Sequence, residues 1–177
     1  MNLALIGFRG TGKTTAAAAL SQRLGWPAVD LDVELERRAG QTIAQIFAAA
    51  GEVGFRDLES QLVLEYARGQ RAILAFGGGA ILRPENRTAI RSGCRVAWLT
   101  ASPAVIYERV NADPTTGERR PQLTTQGGLE EIVALLHARE SYYRECADCI
   151  VATDQRSPES IADEILRQLG PALGLTK

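Results

Sequence analysis

Cysteine, histidine and methionine are scarce in this chain of 177 residues: three, one and one respectively. Cys94, Cys146 and Cys149 are too few for a disulfide framework, so reduced thiols in a cytoplasmic protein are the expectation. Cys146-Ala147-Asp148-Cys149 is a C-x-x-C, readable as a redox pair or as half a zinc site. A tetrahedral zinc site wants four ligands, and beyond this pair the chain offers only Cys94 and His137. The pair also straddles an expected helix end and strand start, where cysteines pack as small apolar residues. His137 lies in a helical stretch and reads as a solvated helix residue. No apolar run is long enough to cross a membrane. The N-terminus enters a strand-like run without a basic start or cleavage site, so no secretion signal is expected. Charge of neither sign dominates, and a net charge of −1 offers no basic field for nucleic acid. What remains, 45% hydrophobic and 23% charged residues, suits one soluble domain able to bury a core. No repeat, low-complexity tract or linker divides the chain.

What is present announces itself early. Gly7-Phe8-Arg9-Gly10-Thr11-Gly12-Lys13-Thr14 meets the phosphate-loop pattern G-x-x-x-x-G-K-[ST] at every fixed position. The apolar run Leu3-Ala4-Leu5-Ile6 precedes it as a buried strand, and Thr15-Ala16-Ala17-Ala18-Ala19-Leu20 follows as a helix. Glycines let the backbone turn tightly and bring its N–H groups close to phosphate oxygens, while the helix points its positive end at the same anion. Gly10, Thr11, Gly12, Lys13, Thr14 and Thr15 are therefore the candidate nucleotide-binding residues. Lys13 would reach the outer phosphates and the Thr14 hydroxyl would take a position on Mg²⁺.

Beyond the loop, strands alternate with helices. Ala28–Asp30 reads as a short strand, followed by helices over Val33–Ala39 and Ile43–Ala50, a turn at Gly51–Gly54, and a helix from Phe55 to Ala67. Ala72–Phe76 and Arg95–Leu99 are apolar runs of strand length, and Cys149–Val151 is a last short strand. Helices are expected over Pro84–Ser92, Ser102–Val110, Leu129–Cys146 and Glu159–Leu169. Residues 111–128 lack apolar periodicity and read as a long functional loop. The alternation implies a parallel sheet covered on both faces, with ligands at the carboxyl ends of its strands.

Most phosphate-loop proteins hold Mg²⁺ partly through an Asp ending another apolar strand. Here the two long apolar runs end in Gly77-Gly78-Gly79 and in Thr100, and the strand-end carboxylates are Asp30 and, two residues on, Asp32. No N-K-x-D base-reading motif occurs, which argues against a GTPase. These absences point to a small-molecule kinase. Singly, Asp30-Leu31-Asp32 reads equally as a helix cap, and Arg56 with Glu59 or Arg139 with Tyr143 as ordinary helix pairs. A glycine triplet after a buried strand is a poor structural choice unless something must come close.

Taken in order, the phosphate loop, Asp30-Leu31-Asp32, Phe55-Arg56-Asp57-Leu58-Glu59, Gly77-Gly78-Gly79, Arg120-Pro121-Gln122-Leu123 and Arg139-Glu140-Ser141-Tyr142-Tyr143 resemble the shikimate kinase family over essentially the whole chain. The resemblance implies a five-stranded parallel sheet of the nucleoside-monophosphate-kinase type, strand order 2-3-1-4-5. It also implies a substrate-binding helical segment over about 32–67 and a lid over about 111–128. The implied activity is transfer of the γ-phosphoryl group of ATP to the 3-hydroxyl of shikimate, with Mg²⁺, by a cytoplasmic monomer with no nucleic-acid or membrane partner.

By the same resemblance Arg56 and Arg139 bind the acceptor's carboxylate, for which an arginine fork is suited. Glu59, one turn after Arg56, would hold that guanidinium. Asp32 orients the acceptor hydroxyl, and Gly78 and Gly79 let the backbone approach the ring. Asp30 stands near Mg²⁺ with Thr14, Arg120 is the lid arginine, and Arg109 and Arg156 lie near adenine. Catalysis would rest on Lys13, Asp32 and Arg120. Arg119 beside Arg120 leaves the lid register open, and Arg9 has no assigned role. Kinases of gluconate or of nucleoside monophosphates, and a non-catalytic nucleotide-sensing module, are the competing readings.

Overall fold

The computed structural model describes residues 1–112 and 128–175. Its centre is strand β1, Asn2–Ile6, every residue of which is buried. A strand flanked on both sides and covered on both faces has no polar side to show, which is why this segment reads as a continuous apolar run. Leu3 and Leu5 turn to one face, and Ala4 and Ile6 to the other. The sheet is completed by β2 (Ala28–Asp30), β3 (Ile73–Ala75), β4 (Cys94–Thr100) and β5 (Cys149–Ala152). Its order is β2-β3-β1-β4-β5 with every neighbouring pair parallel, as the resemblance implied.

Two helical layers cover the sheet. Helix α1 (Lys13–Leu24) buries Ala16, Ala17, Ala19 and Leu20 against the Leu3 and Leu5 face. Small residues let it lie close to the strands. Helix α7 (Pro158–Leu169) joins it there through Ile161, Ala162, Ile165 and Leu169, a stripe of helical period. The opposite face carries α2 (Leu31–Ala39), α3 (Ile43–Ala67), α4 (Pro84–Gly93) and α6 (Leu129–Cys146), and α5 (Pro103–Ala112) packs on α6.

Several boundaries differ from the sequence reading. Helix α2 starts at Leu31 rather than Val33, because the Asp30 carboxylate accepts hydrogen bonds from the Asp32 and Val33 N–H groups and caps it. The expected turn over Gly51–Gly54 is confined to Gly51, which alone is non-helical (φ 66°, ψ −173°) inside α3. The bend brings Phe47 and Phe55 together with ring centroids 4.7 Å apart. Strand β3 is shorter than Ala72–Phe76, and one-turn 3₁₀ segments at Ala80–Leu82 and Pro171–Leu173 were not expected. Of the expected lid, residues 111–112 finish α5 and Gly128 precedes α6. The stretch 113–127, with Arg119, Arg120 and the Arg120-Pro121-Gln122-Leu123 motif, lies outside the described residues.

Cys146 and Cys149 pack on opposite faces of the sheet, in different apolar clusters. Burial pushes both thiols up to about 11. That placement favours packing over a redox pair. Among the described residues no cluster of three or more metal-ligating side chains occurs, and no helix is long and apolar enough to cross a membrane.

Candidate active site

The loop between β1 and α1 has a backbone that side chains would forbid. Gly7, Gly10 and Gly12 have φ of 142°, 78° and 82°. A Cβ on Gly7 would also collide with the Leu99 carbonyl at the end of β4. Gly12 serves as N-cap of α1 without any side-chain cap, so the first-turn N–H groups are left to an anion. Lys13 Nζ donates to the carbonyls of Gly7 (2.9 Å) and Phe8 (2.8 Å), which holds the ammonium over the loop. Gly10, Gly12, Lys13, Thr14 and Thr15 all line one wide cleft. Thr11 does not. Its hydroxyl donates to the Phe8 carbonyl at 2.7 Å, its side chain is buried, and it braces the loop from behind.

Asp30 does two jobs from the end of β2. One carboxylate oxygen caps α2, and the other accepts the Thr14 hydroxyl at 2.6 Å. This pairing tests whether the site suits a cation. Both groups are hard oxygen donors facing the cleft, and few protein ligands plus water and phosphate is how Mg²⁺ is ordinarily held. The residues fit the ion.

The far end of the cleft is built from β5 and α5. Arg109 donates to the Gly10 carbonyl (3.1 Å) and to the hydroxyl and carbonyl of Thr153 (3.1 and 3.0 Å), tying the phosphate loop to the end of β5. Arg156 is held by Ser160 and by the Ala152 carbonyl. Both guanidinium groups line the cleft with their edges engaged on main chain, which leaves flat faces suited to a base. Thr153, fully buried, was missed in the sequence. Its only signal was its place directly after a strand's carboxyl end.

A second, narrower pocket opens beside the first. Arg9, Asp32 and Ile43 line both. Its remaining wall is Phe8, Phe47, Phe55, Arg56, Glu59, Gly77, Gly78, Gly79 and Arg139. Arg56 lies over the Phe55 ring (5.0 Å to the centroid) and donates to Glu59 at 2.7 Å. Burial pushes the Glu59 carboxyl up, opposed by the nearby charges of Arg56, Arg139 and Arg83. Arg139, only 8% exposed, lies over Phe8 (5.6 Å) and reaches the Gly78 carbonyl at 3.4 Å. The Tyr143 hydroxyl donates to the same carbonyl at 2.6 Å. Burial pushes that phenol up to about 12, which keeps it a donor.

The glycine triplet explains how so much charge fits. None of the three has a left-handed φ. A Cβ on Gly77 would stand 2.6 Å from Asp32 Oδ1 and 3.0 Å from Glu59 Oε1; one on Gly78 would press on the Arg9 amide; one on Gly79 would strike the Arg56 guanidinium. The triplet is bare so that functional side chains can occupy the space. Asp32, Arg56, Gly78, Gly79 and Arg139 thus meet in one pocket. The aromatic wall of Phe8, Phe47 and Phe55 was not foreseen, since nothing distinguishes these residues from core in the sequence.

Comparison with known proteins places this geometry. The family model described as shikimate kinase matches residues 9–170. The shikimate kinases of Rhodopirellula baltica and Symbiobacterium thermophilum are each 42% identical to this chain. They cover 98% and 96% of it and are themselves covered over 92% and 96% of their lengths. Among solved structures, shikimate kinase from Acinetobacter baumannii in complex with shikimate superposes with a TM-score of 0.90 at 33% identity, over 97% of this chain and 93% of that one. A nucleotide loop, a neighbouring pocket with two arginines and a carboxylate, and full-length similarity in sequence and structure converge on one assignment: the chain belongs to the shikimate kinase family.

Proposed function

We propose that the wide cleft holds ATP and the narrow pocket holds shikimate in the phosphoryl transfer that yields shikimate 3-phosphate and ADP. The observation that carries this division is the convergence of Arg56, Arg139 and Asp32 in a pocket sharing its wall with the phosphate loop. An acid with free hydroxyls is what such a pocket complements: two guanidinium forks for the carboxylate, and one carboxylate for a hydroxyl at the side nearer the nucleotide. A structural relative solved with shikimate supports the same reading.

The chemistry is mainly positioning and charge stabilisation. The phosphate-loop amides and Lys13 cradle the phosphates, with Lys13 exchanging its carbonyl partners for phosphate oxygens. Thr14 directly, and Asp30 through water, would hold Mg²⁺, which would supply positive charge to offset that of the phosphates. Asp32 orients the 3-hydroxyl toward the γ-phosphorus and accepts its proton. Glu59 and Phe55 fix Arg56, while Phe8 and the Gly78 carbonyl fix Arg139. Arg109 and Arg156 take the adenine between flat faces. Arg120, outside the described residues, is assigned to the γ-phosphate by the family resemblance alone. We expect the protein to act as a monomer in the cytoplasm, without nucleic acid or membrane.

Coupled ADP release with shikimate, gluconate and AMP in parallel tests the proposal. Turnover with shikimate alone supports it. Turnover with gluconate or AMP, and none with shikimate, overturns it.

A further inference from the structure

Arg9 is a cation of the phosphate loop that the phosphoryl transfer described above does not use. It lines both the nucleotide cleft and the acceptor pocket. Of the three described residues that do so, it alone is positively charged. Its guanidinium lies 5.9 Å from the centroid of the Phe8 ring, the ring that also carries Arg139. Its Nε is buried and has no hydrogen-bond partner among the described residues. Burial lowers its pKa from the usual arginine value, and neighbouring Arg139 lowers it further. Two guanidinium groups on one aromatic ring repel each other, and that placement becomes favourable once an anion enters between them.

A second buried group lies close enough for its charge to act on Arg9. Glu131, in the first turn of α6, is 8% exposed, and its Oε1 is buried without a hydrogen-bond partner among the described residues. Its charge acts on Arg9, stabilising the guanidinium. A buried carboxylate here is costly unless it balances a cation. Glu131 therefore reads as the counter-charge that keeps Arg9 at the pocket wall.

We infer that Arg9 is a third arginine of the acceptor pocket, binding the acceptor's carboxylate together with Arg56 and Arg139, and that Glu131 is a positioning residue that holds it there. The inference rests on the assignment of the narrow pocket to shikimate. Arg9 approaches from the phosphate loop, at the wall that the two pockets share. Its backbone lies against Gly78, whose carbonyl receives Arg139 and Tyr143.

Calorimetric binding of shikimate and of its uncharged methyl ester to Arg9→Gln, Arg9→Lys, Glu131→Gln and the Arg9→Gln/Glu131→Gln double variant tests this, with Arg56→Gln as reference. Loss of a charge-assisted contact should weaken shikimate about tenfold in Arg9→Gln, leave the ester and ADP within about twofold, and be partly restored in Arg9→Lys. Glu131→Gln should weaken shikimate in the parent but not in the Arg9→Gln background. Shikimate affinity within about twofold of the parent in Arg9→Gln overturns the inference, as does equal weakening of acid and ester. Equal effects of Glu131→Gln in both backgrounds overturn the positioning role. If Arg56→Gln also leaves shikimate affinity intact, the pocket assignment itself falls, and the two failures are distinguished.

Discussion

The guanidinium of Arg56 stands where the side chain of residue 79 would be: a Cβ on Gly79 would lie 2.5 Å from its Nη2 and 2.6 Å from its Cζ. Arg56 is held there from behind by Glu59 at 2.7 Å and by the Phe55 ring. Glycine at 79 is therefore required by the occupant of the space, not by backbone conformation, since its φ is −103°. Gly79→Ala should displace Arg56 from the pocket. Losing one charge-assisted contact predicts a rise in the KM for shikimate of about tenfold or more, with the KM for ATP within about twofold. Steady-state kinetics with each substrate varied checks this, and an unchanged shikimate KM would separate Arg56 from acceptor binding.

Asp30 combines a helix cap with a cation-facing oxygen, and the two roles come apart by substitution. Asn is as good an N-cap as Asp, so Asp30→Asn should keep the bonds to the Asp32 and Val33 N–H groups and melt near the parent temperature. Its Mg²⁺ requirement should rise and its turnover fall. Asp30→Ala should lose the cap as well, about 1 kcal/mol, or roughly 2–4 °C in melting temperature for a chain of this size. Melting curves and Mg²⁺ titrations of activity report the two effects. Equal melting temperatures in both variants would contradict the cap.

Asp32 lines both the cleft and the pocket. Asp32→Asn preserves its shape and removes its charge, so turnover should fall by about 10²–10⁴ while ATP affinity changes little. Turnover kinetics with calorimetric ATP binding makes the comparison. Equal losses in both quantities would remove Asp32 as the group that aligns the acceptor hydroxyl.

The three thiols are buried, and burial pushes Cys94 up to about 12 and Cys146 and Cys149 to about 11. Native protein at pH 8 should not react with a thiol-titrating disulfide reagent, whereas denatured protein should release three equivalents. The sign of the pH effect follows from linkage. Unfolded thiols ionise near ~8.5 and the folded ones above that, so the native state holds more protons and stability falls as pH rises from about 8.5 through about 11. Rapid native reaction of two thiols would instead support the redox reading of the C-x-x-C pair.

Much of this architecture was legible because its signals are local. The phosphate loop is specified by spacing, and β1 by an apolar run that only a central parallel strand requires. Asp32, Arg56, Gly78, Gly79 and Arg139 were legible only as an ordered set, since each alone matches an ordinary cap, turn or helix pair. What stayed hidden depends on long-range contact. Thr153 joins the site because Arg109 reaches it from α5, 44 residues earlier in the chain. Phe47 and Phe55 form a wall because α3 bends at Gly51, where the sequence suggested a longer turn. Thr11 fits the loop motif yet faces away from the cleft, because its hydroxyl closes a local bond to Phe8. Arg9 and Glu131 lie far apart in sequence, and only the packing of α6 beside the phosphate loop makes them neighbours.

A crystal structure of the protein with shikimate and ADP tests the central claim most directly. The account predicts the acid's carboxylate within about 2.7–2.9 Å of guanidinium nitrogens of both Arg56 and Arg139, with its 3-hydroxyl beside Asp32. Shikimate bound with its carboxylate remote from both arginines would contradict it.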